Sequence, residues 1–106
     1  MSEYFFDKHS VEKWYYKSGQ LACKIKHKNG KLHGVEKRFF ENGQLRYKIK
    51  YKNGKPHGFE KHYFESGLLR YILQYKNGKK HGAEMEFDEI GNIIKKHFYK
   101  DGLMIE

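Results

Sequence analysis

Three histidines, His33, His57 and His81, stand at intervals of 24 residues, and each is followed by glycine (Gly34, Gly58, Gly82). Imidazoles stacked at one period are the raw material of a metal site, because neutral histidine nitrogens are common ligands. No cysteine shares their spacing, and hairpins lying side by side would hold the rings apart. They read instead as part of a turn consensus, each ring covering a neighbouring aromatic or bonding a loop carbonyl. His62 and His97 are solitary, are expected on opposite faces, and have no visible orienting partner.

The carboxylates Glu12, Glu36, Glu60 and Glu84 form a second column with the same period. Such groups can act as general acids and bases, but here they read as cross-strand partners of lysine. Nucleophilic catalysis needs a serine or cysteine with a base and an orienter. Ser10, Ser18 and Ser66 fall in turns, and the single cysteine, Cys23, falls among apolar residues. The chain therefore reads as a non-enzyme without catalytic residues, metal or cofactor. One cysteine also excludes an internal disulfide and a thiolate zinc cluster.

These columns are positioned by a repeat. Lys28-Asn29-Gly30, Lys52-Asn53-Gly54, Lys76-Asn77-Gly78 and Lys100-Asp101-Gly102 recur at the 24-residue interval, and a second turn recurs at Ser18-Gly19, Asn42-Gly43, Ser66-Gly67 and Ile90-Gly91. Each unit thus holds two turns and two strands. The units run at about 11–30, 31–54, 55–78 and 79–102 within a single domain, 1–106. The expected fold is all-β, one elongated, twisted antiparallel meander sheet of stacked hairpins.

Because 24 is even, two-residue alternation keeps each side chain on one face from unit to unit. Odd positions of the longer strands are apolar or aromatic (Ile25, Leu45, Tyr47, Ile49, Leu69, Tyr71, Leu73), whereas even positions are mostly basic. The odd face is the core face. A three-residue loop at Glu41-Asn42-Gly43, with Gly43 left-handed, sets Phe39 opposite Leu45. Continued regularly, that register sets Val35 opposite Ile49, Glu36 opposite Lys48, Glu12 opposite Lys24 and Glu84 opposite Lys96.

The even face is then the informative one, for Trp14, Tyr16, Phe40 and Phe64 would share it with Lys24, Lys26, Arg46, Lys48, Lys50 and Arg70. Aromatic and arginine side chains together mark binding hot spots and also suit stacking on nucleic acid bases. These ten residues are the candidate partner-binding surface. Toward the C-terminus, Glu84 to Glu89 make the same face acidic, so charge is expected to polarise along the sheet. Ile72, Ile94 and Phe98 are expected to be covered by Leu103-Met104-Ile105 or by a second subunit. The edge strands near Val11 to Tyr16 and Ile93 to Tyr99 offer a route to homo-oligomers.

The net charge of +9 favours acidic partners: protein, nucleic acid or anionic membrane. The N-terminal MSEYFFDKHS lacks a basic segment followed by an apolar run, and no stretch approaches the roughly 18 apolar residues of a membrane span. A soluble, cytoplasmic protein is the expectation.

The unit Tyr51-Lys52-Asn53-Gly54-Lys55-Pro56-His57-Gly58-Phe59-Glu60-Lys61-His62-Tyr63-Phe64-Glu65-Ser66-Gly67-Leu68-Leu69 resembles the MORN-repeat variant family, whose bacterial members include YwqK-type antitoxins. The resemblance spans residues 11 to 103. It implies stacked hairpins with interaction roles and no catalytic residues. The function expected is that of a non-catalytic binding protein that blocks a macromolecular partner, an antitoxin- or immunity-like inhibitor of a toxin or nuclease. The alternatives are binding of nucleic acid, or inhibition of a nucleoprotein defence nuclease, by the basic face, and peripheral attachment to anionic lipid.

Overall fold

The structure is a computed structural model that describes residues 8–106; most of the N-terminal stretch read above for a leader lies outside them. Local turn chemistry sets the fold. Asn29, Asn53 and Asn77 have φ of 51°, 50° and 50° and Asp101 of 49°, and each precedes a glycine with φ between 78° and 87°. Two successive left-handed residues make the type I′ turn that matches strand twist, and Asn, Asp and Gly tolerate it best. The pairs Lys28–Lys31, Lys52–Lys55, Lys76–Lys79 and Lys100–Leu103 close these two-residue loops.

At the other end of each hairpin the loop has three residues, as expected. The Phe40 N–H donates to Gln44 O at 2.8 Å and the Gly43 N–H to Phe40 O at 3.0 Å, with Gly43 at φ 90°. Tyr16–Gln20, Phe64–Leu68 and Asp88–Asn92 repeat the closure.

The strands are β1 (His9–Tyr15), β2 (Leu21–Lys28), β3 (Lys31–Leu32), β4 (Gly34–Phe39), β5 (Leu45–Lys52), β6 (Lys55–Tyr63), β7 (Leu69–Lys76), β8 (Lys79–Phe87), β9 (Ile93–Lys100) and β10 (Leu103–Met104). They form one antiparallel sheet in the order β1-β2-β4-β5-β6-β7-β8-β9-β10, with β3 paired to β2. The molecule measures 59 × 42 × 12 Å, one layer thick.

The register departs from the regular continuation. Phe39 does pair with Leu45, but Arg38 pairs with Tyr47, so Arg46 is an extra residue on β5. The same bulge makes Ala22, Arg70 and Ile94 the extra residues of β2, β7 and β9. A bulge reverses the side on which the rest of the partner strand presents its side chains. Val35 therefore faces Lys50, not Ile49, and Glu36 faces Ile49, not Lys48. Likewise Glu12 faces Ile25 and Glu84 faces His97, so the expected Glu–Lys pairs are corrected throughout.

The result is a sheet with two unlike faces. On one, the buried Ile25, Ile49 and Leu73 alternate across the strands with the glutamates, buried Cys23 lies between Trp14 and Arg38, and Glu36 and Glu84 are themselves only 7% and 6% exposed. With so few buried apolar side chains, each contributing about 1.5–3 kcal/mol, cross-strand pairs and the backbone ladder carry much of the remaining stability. The C-terminal tail does not fold over the other face. β10 extends the edge beside β9, with the Ile105 N–H donating to Phe98 O at 2.7 Å, and Ile94 stays 60% exposed.

Candidate functional site

The glutamate face is a network of carboxylates held by tyrosines. Tyr47 Oη donates to Glu36 Oε2 at 2.6 Å, and Arg38 Nε donates to the same oxygen at 3.2 Å. Tyr71 Oη donates to Glu84 Oε2, Tyr99 Oη to Glu84 Oε1 at 3.1 Å, and Tyr75 Oη to Glu60 Oε1 at 3.2 Å. Buried charge is tolerated only with such partners. The bond from His62 holds the Glu60 carboxyl below its ordinary range. Burial opposes the charged form of Glu84, but the Tyr71 and Tyr99 hydroxyls together hold its carboxyl low. The tyrosines move the other way: burial, reinforced by the neighbouring carboxylates, pushes Tyr75 up to about 12 and raises Tyr47 and Tyr71 as well.

His62 is not solitary. Its Nε2 lies 2.7 Å from Glu60 Oε2, its ring stacks on Tyr47 at 5.1 Å and meets Tyr71 edge-on at 5.5 Å. His97 shares this face rather than the opposite one, since it pairs with Glu84. An imidazole oriented by a carboxylate has the form of a base, but the hydroxyls beside it are committed to Glu36 and Glu84 and resist ionisation. Burial likewise pushes the Cys23 thiol up. Nothing in this arrangement activates a nucleophile.

His33, His57 and His81 accept from backbone rather than bonding a carbonyl. Their Nδ1 atoms lie 3.4, 3.3 and 3.5 Å from the N–H groups of Asn53, Asn77 and Asp101, in the next two-residue turn along the chain. The Gly54, Gly78 and Gly102 N–H groups add bonds to Leu32, Pro56 and Lys80 carbonyls. Each histidine thus docks one hairpin tip on the next. Among the described residues, no three His, Cys, Asp or Glu side chains are grouped so as to hold a metal ion.

The ten candidate residues separate into four places. Trp14 pairs with Cys23 and so belongs to the glutamate face, at the exposed β1 edge. Tyr16 is half-buried and donates its hydroxyl to Phe39 O at 2.7 Å. Phe40, Arg46, Phe64 and Arg70 come together with Tyr63, Glu65, Ser66 and Glu89 around a groove of about 540 Å³ at the three-residue-loop end of the sheet. There the Arg46 guanidinium lies 5.9 Å over the Phe40 ring. The bulge gives Arg46 and Arg70 their position beside the loop.

Lys24, Lys26, Lys48 and Lys50 occupy the face opposite the glutamates. The reversed register adds Lys13, Lys37 and Lys61, which the regular alternation missed: Lys13 pairs with Lys24, Lys24 with Lys37, Lys37 with Lys48, and Lys48 with Lys61. The available signal was the recurrence of Lys13, Lys37 and Lys61 at the repeat period. Every carboxylate in the strands, Glu12, Glu36, Glu60, Glu84 and Glu86, stands on the other face by the pairing register. Charge is thus segregated between the faces, and the expected acidic end of the lysine face is corrected: Glu84 and Glu86 stand on the opposite side, and the lysine row continues into Ile72 and Met85.

No curated protein matches the chain. A solved structure of accessory secretory protein 1,2 and 3 in Streptococcus pneumoniae contains a similar chain, 18% identical, with a TM-score of 0.47. The alignment covers 95% of the present chain and only 19% of that one. The MORN repeat variant profile matches residues 8–29, 32–53 and 56–77, three successive hairpin units of the sheet, and the fourth unit keeps the same turns and tyrosine–glutamate bonds. The chain belongs to the MORN repeat variant family.

Proposed function

We propose that this is a non-catalytic binding protein that blocks a macromolecular partner, in the manner of an antitoxin or immunity protein, and that it grips a protein partner at the Phe40–Arg46–Phe64–Arg70 groove. One observation carries the reading. The two central units each present a phenylalanine before the loop and an arginine at the bulge, and the pairs line one groove. The corresponding positions of the terminal units are Tyr16 with Ala22 and Asp88 with Ile94. The fold requires neither a ring nor a guanidinium there, since the terminal hairpins close identically without the pair. Adjacent aromatic and arginine anchors are the groups that dominate protein interfaces. The lining suits a partner loop that offers an apolar anchor flanked by a carboxylate.

The oriented but unproductive His62–Glu60 pair and the raised tyrosines support the non-catalytic part. The test is to recover partners on the tagged protein, identify them by mass spectrometry and titrate the purified pair. Phe40→Ala with Arg46→Ala should weaken the complex by more than about 2 kcal/mol, the hot-spot scale. Unchanged affinity would place the interface elsewhere.

A further inference from the structure

The lysine row has no structural explanation. Lys13, Lys24, Lys37, Lys48 and Lys61 face one another across five adjacent strands, β1, β2, β4, β5 and β6. Like charges placed directly opposite destabilise a sheet, and no strand carboxylate shares the face to offset them. Lys26 and Lys50 enlarge the patch; their stems pass over Gly34 and Gly58, where an added Cβ would lie 3.5 and 3.4 Å from the lysine Cδ atoms. The row ends abruptly: the next positions across the sheet are Ile72 and Met85. Elsewhere the chain does pair its cations with acids, as at Arg38–Glu36 and Lys80–Glu84. The uncompensated charge is therefore local to this row.

We infer that this row is a binding site for the phosphate backbone of duplex nucleic acid, read without regard to sequence. Strands lie about 4.8 Å apart, so the row spans about 19 Å. One strand of a duplex carries a charge every 3.4 Å of axis, about five or six phosphates over that length. Five flexible ammonium groups match that count. Lysine is depleted in the cores of protein interfaces but serves phosphate contacts as a point charge, which favours nucleic acid over an acidic protein here. Single-strand binding relies on exposed aromatic platforms. This face carries isolated rings rather than a continuous platform: the Lys61 ammonium lies 5.5 Å over Phe59 and the Lys96 ammonium 5.1 Å over Phe98, while exposed Tyr15 stands alone at the β1 edge.

The test is fluorescence anisotropy with a labelled random-sequence 20-base-pair duplex (about two turns) on the full chain. Five contacts give a slope of log affinity against log salt of about −4.5, at about −0.9 per phosphate. The triple variant Lys24→Gln, Lys37→Gln, Lys48→Gln should lower that slope to about −1.8 and weaken binding at least about tenfold at moderate salt. It relieves repulsion, so its thermal melt should not fall. A charge-matched triple off the row, Lys17→Gln, Lys79→Gln, Lys95→Gln, should bind nearly as the parent does. No duplex binding at low salt, equal loss in both triples, tighter binding of the single strand, or binding only to phosphatidylserine vesicles would each overturn the inference. Phe64→Ala with Arg70→Ala should leave duplex binding intact, which separates this site from the groove.

Discussion

Tyr47 reaches diagonally across the bulged β4–β5 pair to Glu36, its phenol donating to the carboxylate at 2.6 Å. Removing that donor by Tyr47→Phe leaves a buried carboxylate with Arg38 as its remaining side-chain partner. A loss of about 1–3 kcal/mol is expected in urea denaturation, the cost of an unsatisfied buried group. Glu12→Ala, at the exposed end of the same column, should change stability by no more than about 0.5 kcal/mol.

The same network sets the pH range of the fold. Glu60 and Glu84 have lowered values in the folded state, so their contribution is present above the unfolded value near 4.3 and disappears as pH falls through the folded ones. The tyrosines have raised values, so their contribution is complete below the unfolded value near 10 and is lost as pH rises through the folded values, about 12 for Tyr75. Thermal melts should show a plateau through neutrality, with loss below about pH 4 and again above about pH 10.

Much of this was legible in the sequence, and the limit has a specific cause. Asn-Gly and Asp-Gly pairs at a fixed period determine the turns, and Gly43 identifies the three-residue loop. The apolar odd positions Ile25, Ile49 and Leu73 identify the core face. The extra residues at Arg46 and Arg70 carry no local mark, because a bulge residue has no required type at these positions: Ala22 and Ile94 occupy the equivalent ones. Regular alternation therefore put Val35 in the core and Glu36 outside. It also hid Lys13, Lys37 and Lys61, and grouped Trp14 with lysines that lie on the other side of the sheet.

The lysine row should reveal itself in stability without any ligand. Lys48 faces both Lys37 and Lys61. Lys48→Thr should raise stability by about 0.2–1 kcal/mol at low salt, and the gain should shrink as salt screens the repulsion. Lys100→Thr, at a turn opposite Leu103, is the comparison.

The type I′ tips are a further point of strain. Asn53 has φ 50° and carries the turn with Gly54. Asn53→Ala should cost about 1–2 kcal/mol, because alanine pays the full left-handed penalty, while Asn53→Gly should be nearly neutral. Chemical denaturation of the two variants side by side measures this.

The most direct test of partner blocking through the groove is calorimetric titration of the purified, identified partner against the parent protein and three variants. Phe40→Ala/Arg46→Ala and Phe64→Ala/Arg70→Ala should each weaken binding by more than about 2 kcal/mol, roughly thirtyfold, while Lys17→Gln/Lys95→Gln should bind as the parent does. Parent-like affinity in both groove variants would contradict the proposed interface.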